Sequence, residues 1–353
     1  MSEFIDLRSD TSTRPTPAMR QAMFEAEVGD DVHHEDPSIN RLEALAAQVV
    51  GKEAAVFVPT GTMGNQCAIR AHTQRGEEVI THERSHIVLY EVGGVAQLSG
   101  CVTRTVGAPD GILHWDQIEP LVRPASDHFN GVSLITVENS HNILGGHVYP
   151  QEVLNEICDE AHARDVKVHM DGARVFNAAT YLGTPVSKVT EKVDSVMFCL
   201  SKGLGAPVGS MLAGSAEFID KARMARKVFG GGMRQAGVLA AAGIVAIENS
   251  PAGMPQDHEN AKFIAESLSR VPGISVDPSD VQTNIVIYDV DGTGMTGKEL
   301  SAKLRERGVL SNAVGQYRMR MLTHFDVTRE QCERAMEVMS EVCAGVPVAA
   351  VGD

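Results

Sequence analysis

Phe198-Cys199-Leu200-Ser201-Lys202-Gly203-Leu204-Gly205-Ala206-Pro207-Val208-Gly209 is the stretch from which this chain is best read. An apolar run ends in a lysine and passes at once into a glycine-rich loop. Most lysines lay the stem on apolar surface and keep the ammonium in water. The end of a buried strand is a poor place for that. An amine that must form a Schiff base needs such a position, where partial burial lowers its pKa.

Outward from Lys202 the chain alternates short apolar strands with helices. Strands are expected at Ala54–Val58, 78–81, 133–138, 166–170, 195–200 and 208–213. Helices are expected at Gly61–His72, 86–98 and 150–164. Continuous apolar strands separated by helices predict an α/β fold with a largely parallel sheet covered on both faces. Upstream, 38–50 has helical apolar spacing and Gly51 stands where a C-cap belongs. Near 249–256 two prolines and a glycine interrupt the pattern. Beyond them come helices at 258–269, 297–307 and 328–344 and strands at 274–276, 284–288 and 318–322. The expected organisation is an N-terminal arm over 1–20 packing on the small domain, a large domain over 21–250 and a smaller α+β domain over 251–353.

Two further stretches join Lys202. Val168-His169-Met170-Asp171-Gly172-Ala173-Arg174 places an aspartate at a buried strand end. Ligands of open parallel sheets bind beyond the carboxyl ends of the strands. Thr60-Gly61-Thr62-Met63-Gly64-Asn65 lies between a strand and a helix. Helix-start N–H groups and threonine hydroxyls form a site for a phosphate dianion. Taken alone, each has a plain structural explanation: a glycine turn with a threonine cap, or a strand-end aspartate capping a turn. Together, in the order phosphate loop, carboxylate, amine, they point to pyridoxal 5'-phosphate (PLP). An aspartate beside the pyridine nitrogen keeps it protonated, so that the ring can draw electrons from the substrate. Asp171 and Lys202 are 31 residues apart. That suffices for one helix and a return strand, which would bring both to the same sheet edge.

Composition narrows the alternatives. The net charge of −15 argues against nucleic acid or an anionic membrane as partner. No apolar run is long enough to span a bilayer. The N-terminal MSEFIDLRSD is polar and acidic, so no signal peptide is expected. The six cysteines form no C-x-x-C pair and read as reduced, mostly buried thiols of a cytoplasmic protein.

Several strings then bear a family resemblance: Ile5-Asp6-Leu7-Arg8-Ser9-Asp10-Thr11, Val28-Gly29-Asp30-Asp31-Val32, the segment from His169 to Arg174, that from Leu200 to Gly209, Gly230-Gly231-Gly232-Met233-Arg234-Gln235 and Leu322-Thr323-His324. The sequence resembles the low-specificity L-threonine aldolases, PLP enzymes of the aspartate-aminotransferase-like group (fold type I). The resemblance runs nearly end to end.

It implies a reversible retro-aldol cleavage of L-threonine, L-allo-threonine and related β-hydroxy-α-amino acids to glycine and an aldehyde. It implies that Ser9, Arg174 and Arg320 hold the substrate carboxylate, whose shape a guanidinium fork matches. His86 would stack on the cofactor ring. The base that removes the hydroxyl proton would be His86, His128, or Glu91 acting through a water. Arg234 would add charge to the phosphate pocket, in the same or a neighbouring subunit. A homotetramer built as a dimer of dimers is implied.

The chain departs from the family at one place. The usual Gly-Asp-Asp-Val-Tyr-Gly-Glu-Asp-Pro reads here Gly29-Asp30-Asp31-Val32-His33-His34-Glu35-Asp36-Pro37. His33 thus takes the place of a tyrosine that lines the family's active site, which bears on substrate choice and on the base. Adjacent residues on an extended strand point to opposite faces, so the pair is not expected to hold a metal. Two other readings stay open: a different PLP reaction such as β-elimination, racemisation or transamination, and a PLP-binding protein without turnover.

Overall fold

The computed structural model describes residues 4–344, which fall into two compact units. The larger comprises residues Arg14–Ile143 and His147–Pro251. Its centre is a seven-stranded sheet: β1 (Ala54–Val58), β2 (Glu78–His82), β3 (Val102–Val106), β4 (Val132–Glu138), β5 (Lys167–Asp171), β6 (Ser195–Cys199) and β7 (Ser210–Gly214). The spatial order is β1-β7-β6-β5-β4-β2-β3. Strand β7 runs antiparallel to both neighbours, and the remaining pairings are parallel. Strands β5 and β6 are adjacent and parallel, with Asp171 opposite Met197. The turn after β6 therefore starts at the same sheet edge as Asp171.

The helix Gly61–His72 follows β1 and packs close on β6. A Cβ at Gly64 would lie 2.6 Å from Met197 Cγ, and one at Gly61 would lie 2.9 Å from Cys199 Sγ. Any larger residue would push the helix start off the sheet. Cys67, Met197, Leu212, Phe218 and Ala222 form one apolar cluster that ties this helix to the sheet and to the helix Ala216–Val228.

Several expectations are corrected. The helix expected over 86–98 breaks into a short turn, His86–Leu89, and a π-helical turn, Val95–Ser99. Between them Val92 and Gly93 take positive φ values of 54° and 70°, conformations that end a right-handed helix. Strand β3 was not expected: Val102-Thr103-Arg104-Thr105-Val106 is an edge strand whose side chains are mostly half-exposed, so its apolar signal is weak. The helix expected at 38–50 forms as Pro37–Val50, and Gly51 caps it at φ 66°.

The smaller unit comprises residues 4–13, 144–146 and 252–344 of the described chain. A two-residue strand, Ile5–Asp6, runs parallel to Val309–Leu310. Arg318–Leu322 pairs antiparallel with Ile285–Asp289 and with Asn312–Ala313. The strand expected at 274–276 is reduced to a single bridge between Ser275 and Asp289. The helices Met254–Leu268, Gly297–Glu306 and Arg329–Ala344 supply Ile264, Leu300 and Met339 to the core of this unit.

Candidate active site

The larger unit carries a cavity of about 280 Å³ lined by Thr60, Gly61, Thr62, Asn65, His86 and Glu138 on one side. Asn142, Asp171, Arg174 and Lys202 also stand in its wall. Seven residues expected around a cofactor therefore meet in one place: Thr60, Gly61, Thr62, His86, Asp171, Arg174 and Lys202. A larger surface groove of about 620 Å³, lined by Arg70, Arg75, Lys221 and Met224 among others, has no carboxylate or imidazole in its wall. The ionisable groups that chemistry needs line the smaller cavity.

One end of the cavity is a helix start. Thr60 caps the helix Gly61–His72, its hydroxyl accepting the Met63 N–H at 3.1 Å. The other first-turn N–H groups have no intrahelical acceptor, as at any helix start, and they suit an anion. At the other end Asp171 is nearly buried. Its Oδ1 accepts the Ala173 N–H at 3.1 Å, and its Oδ2 accepts from Asn65 Nδ2 at 2.8 Å. A dianion cradle, a fixed buried carboxylate and a lysine in one small cavity fit PLP: its phosphate, its ring nitrogen and its aldehyde carbon.

The hydrogen bonds behind Asp171 assign their own polarity. Asn65 Nδ2 donates to both Asp171 Oδ2 and Glu91 Oε1, at 2.8 and 2.9 Å, which uses both amide protons. Asn65 Oδ1 must then accept, and its partner at 3.2 Å is His169 Nε2. Burial holds the His169 pKa down to about 4, so the ring is neutral and its Nδ1 accepts from Ser195 Oγ at 2.8 Å. Ser195 Oγ in turn accepts from His72 Nε2 at 2.7 Å. A directed chain thus runs from His72 to Asp171.

Glu91 also decides the state of His86. Its Oε1 lies 2.8 Å from His86 Nδ1, and its Oε2 accepts from Gln66 Nε2 at 2.6 Å. His86 must donate from Nδ1, which leaves Nε2 as its titrating nitrogen. Burial pulls the His86 pKa down, but the Glu91 hydrogen bond and the charges of Asp171 and Glu91 outweigh it, and the net shift is upward. Glu91 thus meets Asn65 and His86 at Oε1 and Gln66 at Oε2. Together His86, Glu91 and Asp171 would make a compact set of metal ligands, but the Asn65 amide already donates a proton to each of the two carboxylates.

Arg174 is buried, and its Nη1 donates to Asn142 Oδ1 at 3.2 Å. Its guanidinium lies in the cavity wall, where a substrate carboxylate can meet it. Other expected residues lie elsewhere. His128 is exposed in a turn, its N–H 3.3 Å from Ser126 Oγ. His33 and His34 are exposed, with His34 at φ 59°, a conformation that suits the glycine it replaces. Arg234 pairs with Asp30 at 2.8 Å. None of these four lines this cavity. Ser9 and Arg320 belong to the smaller unit, where Ser9 caps the 3-10 turn Asp10–Ser12.

Sequence reasoning missed Asn65, Glu138, His141 and Asn142. A usable signal existed for three of them. Glu138-Asn139-Ser140-His141-Asn142 is a run of polar residues directly after a buried strand, the same placement that singled out Asp171.

Comparison with known proteins identifies the family. The family model described as "Beta-eliminating lyase" matches residues 6–291. The chain is 45% identical to low-specificity L-threonine aldolase 1 of Arabidopsis thaliana over 92% of each protein. It is 44% identical to the low specificity L-threonine aldolase of Escherichia coli K12, over 93% of this chain and 96% of that one. Among solved structures, that of a putative L-allo-threonine aldolase from Listeria monocytogenes superposes with a TM-score of 0.81 at 22% identity, over 95% of both chains.

Proposed function

The chain belongs to the low-specificity L-threonine aldolase family, and from that premise we infer how its cavity works. The protein is a PLP-dependent carbon–carbon lyase of fold type I. It splits L-threonine, L-allo-threonine and related β-hydroxy-α-amino acids into glycine and an aldehyde, reversibly. The observation that carries the residue assignment is the meeting of Lys202, Asp171 and the start of the helix Gly61–His72 in one cavity.

Bound PLP supplies an electron sink for the bond that breaks. The protein does the rest. Lys202 would hold the cofactor through its amine. Asp171, kept in place by Asn65 and Ala173, holds the proton of the ring nitrogen. The N–H groups of the first helical turn, with Thr60 and Thr62, hold the phosphate. Arg174 grips the substrate carboxylate and so orients the Cα–Cβ bond; Ser9 and Arg320 are assigned to the same task by family resemblance. His86 Nε2 removes the hydroxyl proton, because Glu91 keeps the other ring nitrogen protonated and raises the affinity for a proton at Nε2. An imidazole tuned in this way suits proton transfer near neutral pH.

A homotetramer is part of the proposal. It is supported by the positions of His33, His128 and Arg234 outside this cavity and by exposed apolar side chains such as Phe24, Val92 and Val228. Light scattering on the purified protein tests it. A cytoplasmic location is supported by six free, buried cysteines.

Product analysis tests the reaction. Incubation with L-threonine, L-allo-threonine, L-serine and β-phenylserine should release glycine and the matching aldehyde in each productive case, and Lys202→Ala should release none. A keto acid with ammonia would instead mark β-elimination.

A further inference from the structure

Beside the cavity, two buried groups are left with one proton to settle between them. Glu138 ends β4 and lines the cavity. Its Oε2 accepts the His86 N–H at 2.7 Å, and its Oε1 accepts the Asn142 N–H at 2.8 Å. Behind it lies His141, fully buried. His141 Nε2 is 3.2 Å from His82 Nδ1. The Arg84 N–H donates to that same Nδ1 at 3.0 Å, so Nδ1 is an acceptor. His82 Nε2 lies 2.8 Å from the Ala108 carbonyl and 3.2 Å from the Ala108 N–H; the shorter contact, with the Arg84 N–H at Nδ1, places the proton on Nε2. His141 must therefore donate from Nε2. A neutral imidazole has a single N–H, so His141 Nδ1 is a bare lone pair. It has no hydrogen-bond partner and lies 3.9 Å from Glu138 Oε1. A lone pair facing an ionised carboxylate in a buried site is repulsive, and one proton on either group removes the conflict.

We propose that Glu138 and His141 hold this proton jointly as the proton store of the active site. The pair lends the proton to the reaction and recovers it. This inference rests on the aldolase reading, and the reaction balances around it. When glycine forms, the Glu138 O–H bond breaks and a Cα–H bond forms. The β-hydroxyl O–H bond breaks as the aldehyde leaves, His86 Nε2 takes that proton, and its return from His86 refills the pair. Groups facing the pair are Asp171 on the adjacent strand, His86, His82, Arg84, His147 and Tyr149. Burial and the Asp171 charge push Glu138 up to about 7, while burial holds His141 down to about 3, so the resting proton belongs to Glu138.

Infrared pH titration of the holoenzyme carrying carbon-13 glutamate tests this. The label separates Glu138 from buried aspartates. The expected result is one protonated glutamate carboxyl that titrates near neutral pH in the wild type and is missing in Glu138→Gln. That variant should keep the visible cofactor absorbance and a KM within about threefold, with kcat lowered about tenfold or more. An active wild type with no glutamate carboxyl titrating between about pH 6 and 8 overturns the inference alone, as does Glu138→Gln turning over at the wild-type rate. Should Glu138→Gln not fold, the wild-type titration decides. A wild type without cofactor absorbance and without glycine release overturns the aldolase reading, and this inference with it.

Discussion

Asn65 donates to Asp171 Oδ2 at 2.8 Å from a fully buried position. The carboxylate proposed to face the cofactor's ring nitrogen is therefore aimed by an amide whose two protons are both committed and whose oxygen meets His169 Nε2.

Asn65→Asp should disturb it most. The new carboxylate would face both Asp171 and Glu91, and like charges in a buried site raise one another's pKa. Asp171 would then be partly protonated and poorly able to hold the ring nitrogen's proton. We expect kcat to fall roughly 100-fold and PLP to dissociate more readily, read by kinetics and by the loss of cofactor absorbance on dialysis. Wild-type PLP retention and kcat would contradict the assignment.

Glu91→Gln isolates a charge. The buried Gln66 Oε1 has no partner, so Gln66 can flip to meet the new amide, and the packing should survive. His86 keeps an acceptor at Nδ1 but loses the negative charge that helps raise its pKa. With His86 as the base, the acid limb of the kcat/KM profile should move to lower pH and the plateau should fall roughly two- to tenfold. An unmoved limb would remove His86 from that role.

Much of this was legible in the sequence because strand ends announce themselves. Asp171 and Lys202 each close an apolar run, and the parallel sheet places such ends at one edge. The connections behind them were not legible. Asn65 looks like any polar residue of a helical first turn, and only the fold brings it to His169, Asp171 and Glu91. The break at Val92 was hidden because a β-branched residue at positive φ runs against local preference. His128 and Arg234 match family positions and His33 stands where the family has a tyrosine, yet a single chain leaves all three outside the cavity.

Gly64→Ala tests how closely the phosphate helix must sit. The added Cβ would lie 2.6 Å from Met197 Cγ, inside contact distance. Overpacking of this kind costs about 1–3 kcal/mol. The melting temperature of the apoprotein should drop by several degrees and PLP affinity should weaken. An unchanged melting temperature would show that the helix can retreat freely.

His169 makes stability pH-dependent. Burial holds it down to about 4, against an ordinary value of 6.5. Between those values the unfolded chain binds a proton that the folded one does not, so stability rises with pH across this window and is lost on acidification. The contribution is on the order of 3 kcal/mol. Glu138 and Asp257, both raised to about 7, act in the opposite sense, since there the folded chain binds the extra proton. His169→Gln keeps a donor toward Asn65 and cannot titrate. Its urea midpoint should therefore fall less steeply than that of the wild type between about pH 6.5 and 4. Parallel curves would contradict the neutral, buried assignment.

The most direct measurement is borohydride reduction of the PLP-loaded protein, followed by peptide mass mapping. The account predicts a phosphopyridoxyl adduct on the peptide containing Lys202 and on no other lysine. Its absence there, or its presence on another lysine, would contradict the assignment of this cavity as the catalytic centre.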